Sequence, residues 1–201
     1  IYAAEKYGCR GTGVTVSKEQ AALALKRADG LPVEILVQDY RDVRGSFDHV
    51  ISLGMVEHVG IKNYRTFMNV AHRVLKDSGF FLLHTIGSST SELTGDPWFE
   101  KYIFPNSIVP SIAQLSRASE GLFVMEDWHN FGAQYDPTLM QWYANVELAW
   151  PELSKKYSER FHRMWRFYLL SSAGMFRARK GQLWQIVFAK NGVKGGYQSI
   201  R

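Results

Sequence analysis

Short apolar runs alternate with helical stretches through the first half of the chain, and that alternation constrains the fold more than any other feature. Gly11-Thr12-Gly13-Val14-Thr15-Val16, Val33-Glu34-Ile35-Leu36-Val37, Phe47-Asp48-His49-Val50-Ile51-Ser52-Leu53 and Phe80-Phe81-Leu82-Leu83-His84-Thr85-Ile86 read as strands. After the first run, Ser17 has the chemistry of an N-cap, with Gln20 three positions on as in a capping box. Ala21, Leu23, Ala24 and Leu25 carry that helix to Asp29-Gly30. From Tyr64, the spacing of Phe67, Val70, Ala71 and Val74 is helical, and Asp77-Ser78-Gly79 reads as the turn into the next strand. Strands separated by helices imply crossovers and a parallel sheet. A strand apolar on both faces, such as 80–86, implies helices on both sides of that sheet. The predicted class is α/β, a doubly wound Rossmann-like sheet, in a single domain over residues 1–201.

The second half changes character. Residues 97–120 read as irregular or helical cover, 122–128 as a strand, 139–150 and 157–172 as helices, and 182–189 as a final strand, followed by a frayed Gly-rich tail. Residues 1–8 read as the last turns of a helix closed by Gly8, so the chain is expected to lack its N-terminal portion.

Charge and cysteine usage narrow the partners. A formal net charge of +5 and a pI near 9.3 favour anionic ones: phospholipid, nucleic acid or acidic protein. No helix-turn-helix, zinc-finger or RNA-recognition signature is present, so no nucleic-acid partner is expected. A single cysteine, Cys9, allows no internal disulfide and fits a reducing compartment. No signal-peptide pattern is seen, and no apolar run approaches the roughly 20 residues that span a bilayer.

In an open α/β sheet, ligands bind beyond the carboxyl ends of the strands. That rule points to residues 15–17, 38–39, 53–57 and 84–86. Asp39, just past a strand, is either an acceptor for a nucleotide or a solvated loop carboxylate. Glu57 is either a ligand-edge carboxylate or an acid at a helix start, favoured there by the macrodipole. His84 lies in a strand that should be buried, so it is either a satisfied core residue or a functional one tuned by a nearby carboxylate. Glu57 and His84 follow neighbouring strands and could meet. His129 invites a metal, but no spacing of the HExxH kind accompanies it, and no metal site is expected. Tyr157, Phe161, Met164, Trp165 and Tyr168 form an aromatic stripe with Lys156, Arg160, Arg163 and Arg166 on another face. This is either a core helix with a solvated basic side, or the lining of an acyl channel whose basic side meets phosphate head groups.

Seven segments then carry a resemblance: 12–20 (TGVTVSKEQ), 36–42 (LVQDYRD), 57–60 (EHVG) with Asn63-Tyr64, 82–87 (LLHTIG), 102–106 (YIFPN), 125–132 (MEDWHNFG) and 176–179 (FRAR). In order and spacing they are similar to the bacterial cyclopropane-fatty-acyl-phospholipid synthases and the related mycolic-acid cyclopropane synthases. The resemblance covers nearly the whole chain. It implies a methyltransferase scaffold and an enzyme that uses S-adenosylmethionine (SAM) to convert the cis double bond of a phospholipid acyl chain into a cyclopropane ring, with bicarbonate as base. It places the bicarbonate contacts on Glu57, His84, Tyr135 and the backbone of Ile86. It places SAM contacts on Thr15, Val16 and Gln20, on Gln38 and Asp39 near the adenine, and on Leu53 by packing. It further implies that the first strand and a glycine-rich SAM loop precede Ile1. Where many relatives have a cysteine in the aromatic helix, this chain has Ser172. The implied partners are phospholipids with unsaturated acyl chains and an anionic membrane surface, with homodimerisation left open. The implied location is cytoplasmic, peripheral at the inner face of the cell membrane. The alternatives are another SAM-dependent methyltransferase of lipids or amines, or a lipid-binding fragment without catalysis.

Overall fold

A computed structural model describes residues 1–199; the expected tail ends in Ile200 and Arg201, which lie outside the described residues. The chain divides into two compact units, residues 1–46 and Phe47 onward.

The first unit holds α1 (Tyr2–Tyr7), β1 (Gly11–Thr15), α2 (Lys18–Arg27), β2 (Val33–Val37) and a 3₁₀ turn, Tyr40–Asp42. β1 and β2 pair in parallel with Thr15 opposite Val37, so the segments following both strands start level with each other. The Ser17 hydroxyl accepts from the Gln20 N–H at 3.2 Å, as an N-cap does. The reciprocal half of the expected capping box is replaced: the Gln20 side chain accepts from the Thr15 hydroxyl at 2.8 Å.

The second unit is built on a four-stranded sheet. Its elements are β3 (Phe47–Leu53), α3 (Val56–Val59), α4 (Tyr64–Val74), β4 (Leu75–Ser88), α5 (Pro97–Tyr102), α6 (Ile112–Ser119), β5 (Val124–Asn130), α7 (Gly132–Leu153), α8 (Glu159–Arg177) and β6 (Gly181–Ala189). The strand order is β3-β4-β6-β5, with β3 and β4 parallel and the other two pairs antiparallel. Parallel pairing thus holds for the strands joined by helical crossovers. It stops where the long α7 and α8 return the chain and β6 enters between β4 and β5. The turn expected at 77–79 is a bulge instead: Phe47 pairs with Leu75 and His49 with Phe80, so the intervening residues of β4 loop out of register.

The two faces of β4 are buried unequally. Phe81, Leu83, Thr85 and Gly87 are buried beside Trp184, Ile186 and Phe188 of β6. α4 covers this face through Phe67, whose ring lies 6.0 Å from that of Phe81. Burial of each large side chain here stabilises the fold by about 1.5–3 kcal/mol. On the opposite face Phe80, Leu82, His84 and Ile86 are half-buried among the described residues. The Ile86 end of that face is covered where Leu139 of α7 and Leu169, Ala173 and Phe176 of α8 pack on Leu183, and at the other end the Phe80 ring meets Tyr197 at 5.5 Å.

Gly87 is fixed by a close approach. A Cβ at this position would lie 2.2–2.4 Å from the Trp184 ring. Trp184 is itself buried and donates its indole N–H to Gln182 at 2.9 Å, so it cannot swing away without losing that bond. Gly87→Ala is therefore expected to destabilise the protein by about 1–3 kcal/mol. Urea unfolding followed by tryptophan fluorescence measures it, with a lowered midpoint expected.

Candidate active site

The site in the second unit begins where β3 ends. Gly54 takes φ +62°, and its N–H donates to the His84 carbonyl at 2.9 Å, tying the β3 terminus to β4. The chain then turns into α3, a single helical turn that carries Glu57 inward. Glu57 is only 7% exposed. One carboxylate oxygen, Oε1, accepts from the Ile86 N–H at 2.9 Å. The other, Oε2, is buried and meets no hydrogen-bond donor among the described residues. The backbone around it is braced: the Ile108 N–H donates to the Glu57 carbonyl at 2.8 Å, and the Tyr64 hydroxyl donates to the Ile108 carbonyl at 3.2 Å.

The charge of Glu57 reaches three other groups. Burial pushes the Tyr64 phenol up to about 12, and Glu57 adds to the effect. Burial and, secondly, Glu57 also raise the Tyr135 phenol. Burial lowers the His84 imidazole, and Glu57 opposes that shift. Tyr135 sits in the first turns of α7, its ring 4.9 Å from Phe176. Tyr168 of α8 is raised by burial and then by Tyr135, and it packs on Phe99 and Phe104 at 6.0 and 5.8 Å. A buried carboxylate, a neutral imidazole and phenols that hold their protons therefore share one neighbourhood, floored by β4 and walled by α7 and α8.

Of the residues expected from the sequence, Glu57, His84, Ile86 and Tyr135 are thus brought together. The N–H of Ile86 is engaged by Glu57, and its carbonyl accepts from the Thr85 hydroxyl at 2.9 Å. Leu53 pairs with His84 across β3 and β4 and is 64% exposed. Thr15, Val16, Gln20, Gln38 and Asp39 belong to the first unit. There the β1–β2 register places residues 15–16 beside 38–39, and the Gln38 N–H donates to the Thr15 carbonyl at 3.1 Å. Val16 is 75% exposed. Asp39 caps the following 3₁₀ turn and receives two hydrogen bonds from the Arg41 guanidinium, at 2.8 and 2.6 Å. Those bonds hold its carboxyl at about 2. Ser172 is buried on α8. His129 lies on β5 with its ring 3.8 Å from that of Phe131, and no cluster of three potential metal ligands occurs among the described residues.

Neither Tyr64 nor Tyr168 was singled out as a site residue by the sequence, although Tyr168 lay in the stripe whose second reading was an acyl-channel lining. Tyr64 stood at the start of an amphipathic helix, and its role as a brace depends on Ile108, far along the chain. Tyr168 belonged to the aromatic stripe, and only the packing of α8 against α5 and α7 separates it from its neighbours.

The half-buried imidazole makes stability depend on pH. Its folded-state value lies below the ordinary 6.5, so the unfolded chain takes up a proton before the folded protein does. That contribution is complete above about pH 6.5 and is lost as the pH falls below it. In His84→Gln the urea midpoint should decline less than in the unmodified protein between about pH 7 and pH 5; equal declines would show that His84 titrates as a solvated side chain.

Comparison with known proteins gives one family. The profile described as "Mycolic acid cyclopropane synthetase" matches residues 1–186. The chain is 54% identical over 200 residues to the cyclopropane-fatty-acyl-phospholipid synthase of Escherichia coli K12, an alignment covering 100% of this chain and 52% of that protein. It is 32% identical to sphingolipid C9-methyltransferase 2 of Gibberella zeae over 94% of this chain and 39% of that one. The chain thus spans about half the length, or less, of these curated relatives. Among solved structures, the cyclopropane synthase MmaA2 from Mycobacterium tuberculosis aligns with a TM-score of 0.85 at 25% identity, over 94% of this chain and 72% of that one. Mycolic acid cyclopropane synthase CmaA1, solved with SAH and CTAB, aligns at 0.84 and 26% identity, over 92% and 72%. The α/β scaffold expected of the SAM-dependent methyltransferases is the scaffold these matches show, with antiparallel strands beside the expected parallel ones, and the chain belongs to the mycolic acid cyclopropane synthetase family.

Proposed function

We propose that this chain carries out cyclopropane formation on phospholipid acyl chains, transferring a methylene group from SAM to a cis double bond. The observation that carries this reading is the half-satisfied carboxylate of Glu57. A buried carboxylate oxygen without a donor costs at least about 1–3 kcal/mol, so such an oxygen signals a ligand. A second anion tolerates that position only if it brings its own hydrogen. Bicarbonate does: its hydroxyl suits Glu57 Oε2, and its other oxygens suit an imidazole N–H and a phenol O–H, the groups that His84 and Tyr135 offer. Ile86 acts through its backbone, its N–H orienting the carboxylate. When bound, SAM supplies the methyl carbon that bonds to the alkene as the C–S bond breaks, and bicarbonate supplies the base that takes a methyl proton as the second C–C bond closes the ring.

The protein's own part is to bind, orient and keep water out. An alkene is a weak nucleophile, so alignment and exclusion of water dominate the catalytic demand. Tyr135, Tyr168, Phe99 and Phe104 provide an aromatic wall. Because burial keeps both phenols protonated, neither offers a phenolate to capture a carbocation. In the first unit, Thr15, Val16 and Gln20 suit the ribose and amino-acid side of SAM. Gln38 and Asp39 suit the adenine side. Asp39 stays ionised through Arg41 and retains lone pairs for further donors. Leu53, exposed at the end of β3, suits apolar contact with the cofactor.

Arg160, Arg163, Phe167 and Leu170 line one exposed side of α8, and Lys101 and Arg160 lower the Tyr102 phenol beside them. That mixture of cations and apolar side chains suits an anionic phospholipid surface. Such a protein would work at the inner face of the membrane from the cytoplasm. No helix among the described residues is long and apolar enough to cross a bilayer.

Glu57→Gln keeps the shape of the side chain and its bond to Ile86 while removing the charge. It is expected to lower ring formation by about 10²–10³-fold, and His84→Ala by about 10²-fold, with unfolding transitions little changed in the Gln variant. Gas chromatography–mass spectrometry of the phospholipid acyl chains reads the outcome. Activity retained in both variants would remove the proposed base site. The likeness to a sphingolipid C9-methyltransferase favours one second reading, methyl addition without ring closure. The two products gain the same CH₂, but only the ring product loses its double bond, and ozonolysis separates them.

A further inference from the structure

Gln185 lies at the centre of a cross-strand row. On β6 it stands directly opposite His84 of β4 and, on its other side, opposite His129 of β5. Its side-chain amide Nε2 is 3.3 Å from His84 Nδ1. With the amide nitrogen facing the ring, the NH₂ group donates and Nδ1 accepts. A neutral imidazole that accepts at Nδ1 carries its proton on Nε2. The charged group that acts on this ring is Glu57 of α3, and its pull toward protonation is outweighed by burial, so the ring is neutral.

We infer that Gln185 is a positioning residue that holds His84 in the Nε2–H tautomer, so that the imidazole presents a donor to the anion bound beside Glu57. The opposite tautomer would present a lone pair at Nε2, which repels an anion oxygen. An imidazolium would offer a donor at both nitrogens, but its charge would stabilise the anion against taking up a proton. A neutral Nε2–H ring binds the anion and leaves it basic. This inference rests on the bicarbonate reading of the site and adds the residue that sets the proton's place. Neither the order of the strands nor the spacing of motifs carries that information; it comes from the antiparallel register of β4 and β6.

Gln185→Glu tests it, because a carboxylate of the same size can only accept and draws the proton to Nδ1. The imidazole nitrogens of His84 are read by ¹⁵N NMR in histidine-labelled protein, and ring formation is titrated with bicarbonate. The unmodified protein should show Nε2–H and the Glu variant Nδ1–H. In the variant, the bicarbonate concentration for half-maximal activity should rise by about tenfold or more, with the KM for SAM unchanged. Gln185→Met, which removes the donor at similar volume, should show a mixture of tautomers and an intermediate bicarbonate requirement, and it decides the matter if the Glu variant fails to fold. An Nδ1–H signal in the unmodified protein overturns the inference. So does an unchanged tautomer and bicarbonate requirement in both variants while Glu57→Gln is inactive. If Glu57→Gln and His84→Ala both keep full ring formation, the base-site reading fails instead, and with it the part assigned to Gln185.

Discussion

A carboxylate buried with one oxygen bonded and one oxygen bare is the constraint on which the rest of this structure turns. The bonded oxygen ties Glu57 to β4, and in the proposed function the other is where a hydrogen-bearing anion is held, so the side chain needs both a rigid backing and a shielded position. Both demands fall on its surroundings. The Ile86 N–H holds one carboxylate oxygen, Ile108 and Tyr64 fix the backbone behind it, and Tyr135 packs with the α7–α8 pair beside Ile86. Each brace comes from a different part of the chain. The group is destabilised locally, and the whole second unit holds it in place.

β4 connects these parts. One of its faces packs against α4 and anchors the sheet; the other carries His84 and Ile86 toward the site. The strand's alternation therefore separates stability from chemistry residue by residue. Phe81, Leu83 and Gly87 serve the core, where Trp184 leaves no space for a side chain at Gly87. His84 and Ile86 face the proposed site, and β6 reaches both sets at once because it lies antiparallel beside the strand with a register that is regular from residue 80 to residue 88. A slip of one residue would exchange the two faces and place the imidazole in the apolar core.

Much of the fold was legible. The bounds of β2 and β3 follow directly from their apolar runs, and the helices 18–27 and 64–74 from capping chemistry and helical spacing. The carboxyl-end rule pointed to Glu57 and to residues 84–86, and the resemblance added Tyr135 and the backbone role of Ile86. The antiparallel entry of β6, the bulge opposite Asp48 and the full length of α7 were not legible. Pairing direction depends on which strands become neighbours, and α7 begins in a polar, aromatic stretch with Pro137 inside it, where no clean helical period exists.

The sequence by itself determined the alternation of elements, the apolar strand bearing a lone histidine and the acidic residue at a helix start, because those are properties of near neighbours along the chain. Only the tertiary structure decided that Glu57 would have one oxygen satisfied by Ile86 and one left bare, and that His84 would meet Gln185. Those outcomes depend on distances between residues far apart in sequence, set by sheet register and helix packing. Local propensity cannot encode them, since the same residues in another register would be solvated side chains.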